Sequence, residues 1–198
     1  MSRQNPYSRV DPRTIAARAQ GYPARSVFKL EEIDEKSSLL RPGDHVLDLG
    51  AAPGSWSMYA ARQVGAGGRV LAIDLQEIEQ GFADWVTVVQ ADAFTLDESL
   101  HAGFAPYDVV LSDMAPKTGG DKFTNAARSH NLFEAALEVA LRFGKPGSHF
   151  VGKLFMGQDF NQARQAVANS FARVKVVKPK GTRTTSVEVF LVGLSKKL

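Results

Sequence analysis

The stretch from His45 to Trp56, H-V-L-D-L-G-A-A-P-G-S-W, constrains the fold of this chain more than any other. Val46, Leu47 and Leu49 form the short apolar run of a buried parallel strand. Gly50 to Gly54 then permit a tight turn, and Ser55 is placed to cap a following helix. A strand, a small-residue loop and a helix N-terminus bring backbone close to a ligand. An ordinary strand-to-helix turn has the same ingredients, so the loop alone does not identify one. A dinucleotide fingerprint opening at Gly50 needs glycine again at positions 52 and 55. Ala52 and Ser55 stand there, and Pro53 stiffens the loop, so it fits a pyrophosphate poorly.

The 198 residues are enough for one domain with a real core, and 44% hydrophobic and 23% charged residues are ordinary for a globular protein. No run of 18 apolar residues is present and the N-terminus lacks an apolar segment, so the expectation is a cytoplasmic protein with no membrane span. There is no cysteine. That excludes disulfides, thiolate nucleophiles, iron–sulfur clusters and cysteine-ligated zinc. His45, His101, His130 and His149 show no metal-ligand spacing, so no metal is expected. The net charge of +3 is uneven: residues 1–25 carry +4, residues 173–183 carry +5, and the remainder carries −6. Basic charge at two ends of an acidic body suits a polyanion, although solvated surface gives the same pattern.

Residues 1–25 read as a basic arm, because Asn5-Pro6, Asp11-Pro12 and Tyr22-Pro23 interrupt regular structure; Tyr7 and Tyr22 lie among its arginines, suited to stacking on bases. Residues 26–198 read as one domain. A helix is expected over Ser26–Lys36, with Ser26 as N-cap and Lys29 in the first turn, four residues before Ile33 and so on or beside the inward face. Helices are also expected near 55–64, 125–143 and 159–170, with strands at 69–73, 86–89, 107–111, 148–152, 173–177 and 186–194. Asp74 ends the second strand, where an acid can accept hydrogen bonds from ribose hydroxyls. Asp92 and Asp113 follow the third and fourth strands. Glu188 lies in a strand whose Phe190-Leu191-Val192 run implies burial on both faces; a buried carboxylate needs a partner.

The D-L-G-A-A-P-G-S-W run resembles the first motif of S-adenosylmethionine-dependent methyltransferases, in the form typical of FtsJ/RrmJ-type RNA 2′-O-methyltransferases. The segments S-V-F-K-L-E-E-I, S-D-M-A-P and S-V-E-V-F resemble the same family, in order, from about Gly21 to the C-terminus. Two departures stand out. Ser55 replaces a glycine of the usual P-G-G-W, and Lys117-Thr118-Gly119-Gly120 stands where bacterial members often have an Asn-x-Ser-Gly run.

The resemblance implies a Rossmann-like α/β fold: a seven-stranded, mostly parallel sheet with the last strand antiparallel and helices on both faces. It implies S-adenosyl-L-methionine as cofactor, held by Gly50, Gly54, Trp56, Asp74, Asp92 and Asp113, with Asp92 facing the adenine amino group. It implies a catalytic tetrad of Lys29, Asp113, Lys153 and Glu188. A ribose 2′-hydroxyl is a poor nucleophile facing an already electrophilic methyl group, so alignment and proton acceptance are what a protein must supply. Lys153 is assigned as general base, Lys29 as a neighbouring ammonium and phosphate or hydroxyl clamp, Asp113 as the group orienting amine and hydroxyl, and Glu188 as the group keeping them in register. A chain without appended domains resembles the bacterial ribosomal type, whose target is a uridine of 23S rRNA within the large ribosomal subunit; a monomer is expected. The alternatives are a tRNA 2′-O-methyltransferase, an RNA-binding ribosome-assembly protein with a vestigial site, and a nucleotide-dependent oxidoreductase. A purely structural Lys–Asp–Lys–Glu network is the plain competing explanation of the tetrad.

Overall fold

The computed structural model describes residues 11–94, 98–116, 119, 121–180 and 186–198. Seven strands, β1 (His45–Leu49), β2 (Arg69–Asp74), β3 (Val86–Gln90), β4 (Tyr107–Ser112), β5 (Gly144–Phe155), β6 (Phe171–Val177) and β7 (Glu188–Lys196), form one sheet in the order β3-β2-β1-β4-β5-β7-β6. The first five run parallel, and β7 is antiparallel to both β5 and β6. Strand order reverses between β1 and β4, which opens a crevice at their carboxyl ends.

Both faces of the central strands are covered, which is why they read as continuous apolar runs, whereas the edge strands β3 and β6 are partly exposed. Side chains alternate across the sheet. Val46, Val109, Val151, Phe190 and Val192 face one layer with α1 (Pro12–Ala19), α2 (Val27–Ser37) and α3 (Ser55–Val64). Leu47, Val110, Phe150, Leu154 and Leu191 face the other, with α5 (Lys122–Phe143) and α6 (Phe160–Ser170). The stripe of α5 is core, as its spacing predicts: Phe133, Ala136, Leu137 and Ala140 are buried. A short α4 (Glu98–Ala102) precedes β4.

Three local expectations need correction. Within the supposed arm, Pro12–Ala19 is helical, with Asp11 capping by accepting from Arg13 N–H and Pro12 pre-set for the first turn. Ala17 and Tyr22 are buried in the same cluster as Trp56, so proline here opens a helix rather than preventing one. The first ten residues, with Arg3, Tyr7 and Arg9, lie outside the described residues. β5 takes in Lys145-Pro146-Gly147, expected as a turn, and its pairing with β4 shifts between Tyr107 and Val109 to absorb them. α5 begins one turn earlier than its apolar stripe, because Asp121 caps it through Thr124 N–H.

Candidate active site

Lys29, Asp113, Lys153 and Glu188 come from four elements and meet at the carboxyl rim of the sheet. Register explains three of them. Lys153 on β5 is the cross-strand partner of Phe190 on β7, and Glu188, two residues before Phe190, shares its face. Asp113 directly follows β4, the other neighbour of β5. Lys153 Nζ donates to Asp113 Oδ1 at 3.0 Å and to the Asp113 carbonyl oxygen. Lys29, from the first turn of α2, reaches over the Phe190 ring at 5.7 Å. Its Nζ lies 2.7 Å from Glu188 Oε1 and 3.7 Å from Asp113 Oδ1. The Lys29–Glu188 contact is an ion pair without hydrogen-bond alignment. The Lys153 side chain is 6% exposed and the other three 13–18%, so all four are shielded yet reachable.

The loop after β1 holds α2, and therefore Lys29, in place. Gly54 rather than Ser55 is the N-cap of α3, and it is left-handed at φ 103°. The serine expected as a cap turns away: Ser55 Oγ accepts from Ala24 N–H at 2.9 Å and donates to Ala24 C=O at 3.1 Å. Trp56 is buried, stacks obliquely on Phe190 at 5.6 Å and donates Nε1–H to Ser26 C=O at 2.9 Å. Ser26 precedes α2 in helical conformation and makes no side-chain cap, contrary to expectation; its carbonyl is the group in use. The P-G-S-W loop thus ties the chain just before Lys29 to the rim of β1.

Gly50 and Gly54 have positive φ and no room for a side chain. A Cβ at Gly50 would lie 2.2 Å from Met114 Cγ, and one at Gly54 2.9 Å from Phe82 Cζ and 3.2 Å from Ile78 Cγ2. Asp74 ends β2 and braces this loop, accepting from Ala52 N–H at 2.9 Å and Gln76 N–H at 2.8 Å. Asp92, after β3, is exposed and accepts from Phe94 N–H at 3.0 Å.

The FtsJ-like methyltransferase family model matches residues 22–196. The chain belongs to this family. It is 59% identical over 194 residues to the ribosomal RNA large subunit methyltransferase E of Sorangium cellulosum, covering 98% of this chain and 92% of that one. It is 50% identical over 182 residues to the protein of the same name from Desulfosudis oleivorans, covering 91% and 88%. Among solved structures, a ribosomal RNA methyltransferase of Plasmodium falciparum superposes with a TM-score of 0.78 at 23% identity, over 88% of this chain and 98% of that one. Aeropyrum pernix fibrillarin, in complex with natively bound S-adenosyl-L-methionine, does so at 0.59 and 12% identity, over 85% and 76%. At these identities the two structures share the fold.

One buried group of this FtsJ-like site escaped the sequence argument. Asp48, on β1, is enclosed, with Oδ2 accepting from Ser57 Oγ–H at 2.6 Å and Oδ1 lacking a hydrogen-bond partner. Burial, with a further contribution from the nearby charges of Asp113 and Asp74, pushes its carboxyl up to about 7. A carboxylate inside an apolar strand is the same clue that singled out Glu188, and it applied equally to H-V-L-D-L. The two basic segments also converge: Arg13 Nη1 donates to Lys180 C=O at 3.0 Å, and Lys180 N–H to Glu32 on α2 at 2.8 Å. Gly181, Thr182 and Arg183 of the basic loop, and Lys117, Thr118 and Gly120 after S-D-M-A-P, lie outside the described residues. Among the described residues no group of three or more His, Cys, Asp or Glu is placed to hold a metal ion, and no helix is long and apolar enough to cross a membrane.

Proposed function

We propose that this chain transfers the methyl group of S-adenosylmethionine to a ribose 2′-hydroxyl of large-subunit ribosomal RNA, a uridine of 23S rRNA within the subunit being the expected target. The observation that carries the reading is the convergence of Lys29, Asp113, Lys153 and Glu188 beside the Gly50–Gly54 loop. A structural ion-pair network has no reason to sit at the ligand edge of a doubly wound sheet.

The residues present fit such a cofactor. Gly50 and Gly54, both at positive φ, turn the backbone between β1 and α3 at the carboxyl rim, where the N–H groups that open α3 lie. Asp74, Asp92 and Asp113, at the carboxyl ends of three strands, are acids suited to an ammonium and ribose hydroxyls, with the buried Asp48 behind them. Asp74 would take the ribose hydroxyls and Asp92 the adenine amino group. Trp56 would contribute its backbone N–H at the start of α3, because its indole is committed to Ser26. When bound, the cofactor supplies an electrophilic methyl group that needs no further activation.

Lys153 is the general base in this proposal. As a neutral amine its two N–H groups satisfy the Asp113 carbonyl and carboxylate, which leaves the lone pair at the remaining tetrahedral position. That lone pair takes the 2′-hydroxyl proton as the ribose oxygen bonds to the methyl carbon and the carbon–sulfur bond breaks; the ammonium then loses the proton to solvent. Asp113 fixes the rotamer of the amine, Glu188 holds Lys29, and Lys29 clamps the substrate hydroxyl or an adjacent phosphate. Arg13 and the basic segment ending at Lys180 flank the site and suit an RNA backbone. A ribosomal substrate places the protein in the cytoplasm.

The test is incorporation of labelled methyl into large ribosomal subunits, with digestion locating the label on a 2′-oxygen, beside titrations with S-adenosylhomocysteine and NAD. Label on a base, or preference for NAD, overturns the proposal.

A further inference from the structure

One cavity lies away from the tetrad. It has a volume of about 330 Å³ and opens at the other end of the sheet, between the C-terminus of α2 (Lys36, Ser38), Arg41, the early part of β5 (His149), β6 (Arg173, Lys175) and the end of β7 (Ser195). That volume is at the lower end of the roughly 300–1,000 Å³ of ligand sites. No acidic residue lines it. Lys36 is engaged by Glu32, and Lys175 Nζ donates to Lys36 C=O. The guanidinium groups of Arg41 and Arg173 make no hydrogen bond or ion pair among the described residues, although Asp44 feels the charge of Arg41. His149 Nδ1 accepts from Ser195 N–H at 3.1 Å, so a neutral ring carries its proton on Nε2 and is a donor. Burial, then Arg41 and Arg173, lower the tendency of His149 to charge, against the opposing pull of the Ser148 backbone and Asp108.

The backbone here is unusual too. Ser38 and Ser195 are the non-glycine residues with positive φ among the described residues, at 52° and 59°, and both line this cavity. Glycine would adopt these conformations without strain; serine keeps a hydroxyl on the wall. A strip of basic residues also runs along α2 from the active-site end toward the cavity. Going down α2, Lys180 meets Glu32, Lys175 meets Lys36, and Arg173 lies beside the loop to Arg41. Glu188 and Ser195 are seven residues apart on β7, about 23 Å of extended chain.

We propose that this cavity is a distal phosphate site that takes a backbone phosphate of the RNA substrate, fixing the RNA at a second point along the α2–β6 strip. The proposal rests on the RNA reading above for its ligand. The shared chemistry is a phosphate group, and the test separates an RNA phosphate from free phosphate. Arg41→Ala/Arg173→Ala is compared with the unaltered protein for equilibrium binding to large-subunit rRNA across a salt series. Unchanged melting temperature and S-adenosylhomocysteine affinity establish that the variant is folded. The expected result is weaker RNA binding and a log–log salt slope shallower by about 0.7–0.9 for each phosphate that is no longer neutralised, with Arg41→Lys/Arg173→Lys restoring it. Equal affinity and slope overturn the proposal. So does stabilisation of the unaltered protein, but not the alanine variant, by millimolar inorganic phosphate while RNA binding stays the same. If the unaltered protein binds rRNA but never methylates it, the enzymatic reading fails while the slopes still decide this site.

Discussion

At the scale of single residues, Lys153 and Gly54 have the sharpest consequences. Removing the proposed base with Lys153→Ala is expected to slow single-turnover methyl transfer by roughly 10²- to 10⁴-fold while S-adenosylhomocysteine still binds. Lys153→Arg, which keeps the charge but cannot release a proton, should not recover the rate. Unchanged turnover in either variant removes Lys153 from the chemistry. Gly54→Ala places a methyl group against Phe82 and Ile78 at φ 103°, a conformation costing about 1–2 kcal/mol for a non-glycine residue. Calorimetric titration should show weaker S-adenosylhomocysteine binding, together with a lower melting temperature. Pattern alone marked Asp113 and Lys153 at strand ends and Glu188 inside an apolar strand; Lys29, and the grouping of all four, came from the resemblance of S-V-F-K-L, S-D-M-A-P and S-V-E-V-F. Ser55 was misread for a physical reason: a serine after a strand has two uses, capping its own helix or reaching another segment, and only the position of Ala24 decides between them.

The elements show how the site is tensioned. α2 carries Lys29 but makes no side-chain cap of its own, so its start depends on Trp56 and Ser55 from the loop before α3. Trp56→Phe keeps most of the packing on Phe190 and deletes one hydrogen bond, a loss of about 1 kcal/mol. Faster amide exchange over residues 24–30, with protection of β4 and β5 unchanged, is the expected signature. Uniform exchange would mean that the indole does not anchor α2. The strands and the four longer helices followed from apolar runs and punctuation, whereas the short α1 and α4 and the β5–β7 register that brings Glu188 beside Lys153 did not. What sequence hid were events at element ends: the helix opened by Pro12, the pairing shift that lets β5 absorb Pro146, and the early start of α5 at Asp121. Each is set by one cap or one neighbour, which periodicity does not record.

For the whole molecule, Asp48 is one route by which pH acts on stability. Its carboxyl is raised from 3.8 to about 7 on folding, so the folded state keeps a proton that the unfolded chain releases. That contribution to stability is fully present below pH 3.8 and is lost as pH rises to about 7. Asp48→Asn should therefore flatten the pH dependence of denaturant unfolding between pH 5 and 8, by on the order of 2–3 kcal/mol. Parallel profiles for the two proteins would show that Asp48 titrates alike in both states.

β7 follows β6 in the chain yet lies between β5 and β6. A newly made polypeptide therefore has Lys29, Asp113 and Lys153 before the strand that completes them has been synthesised. Glu188 stands on that last strand, so the carboxylate 2.7 Å from Lys29 Nζ is the last of the four charges to be made. On the proposed assignment of the four charges, the complete set exists only once β7 has inserted between β5 and β6.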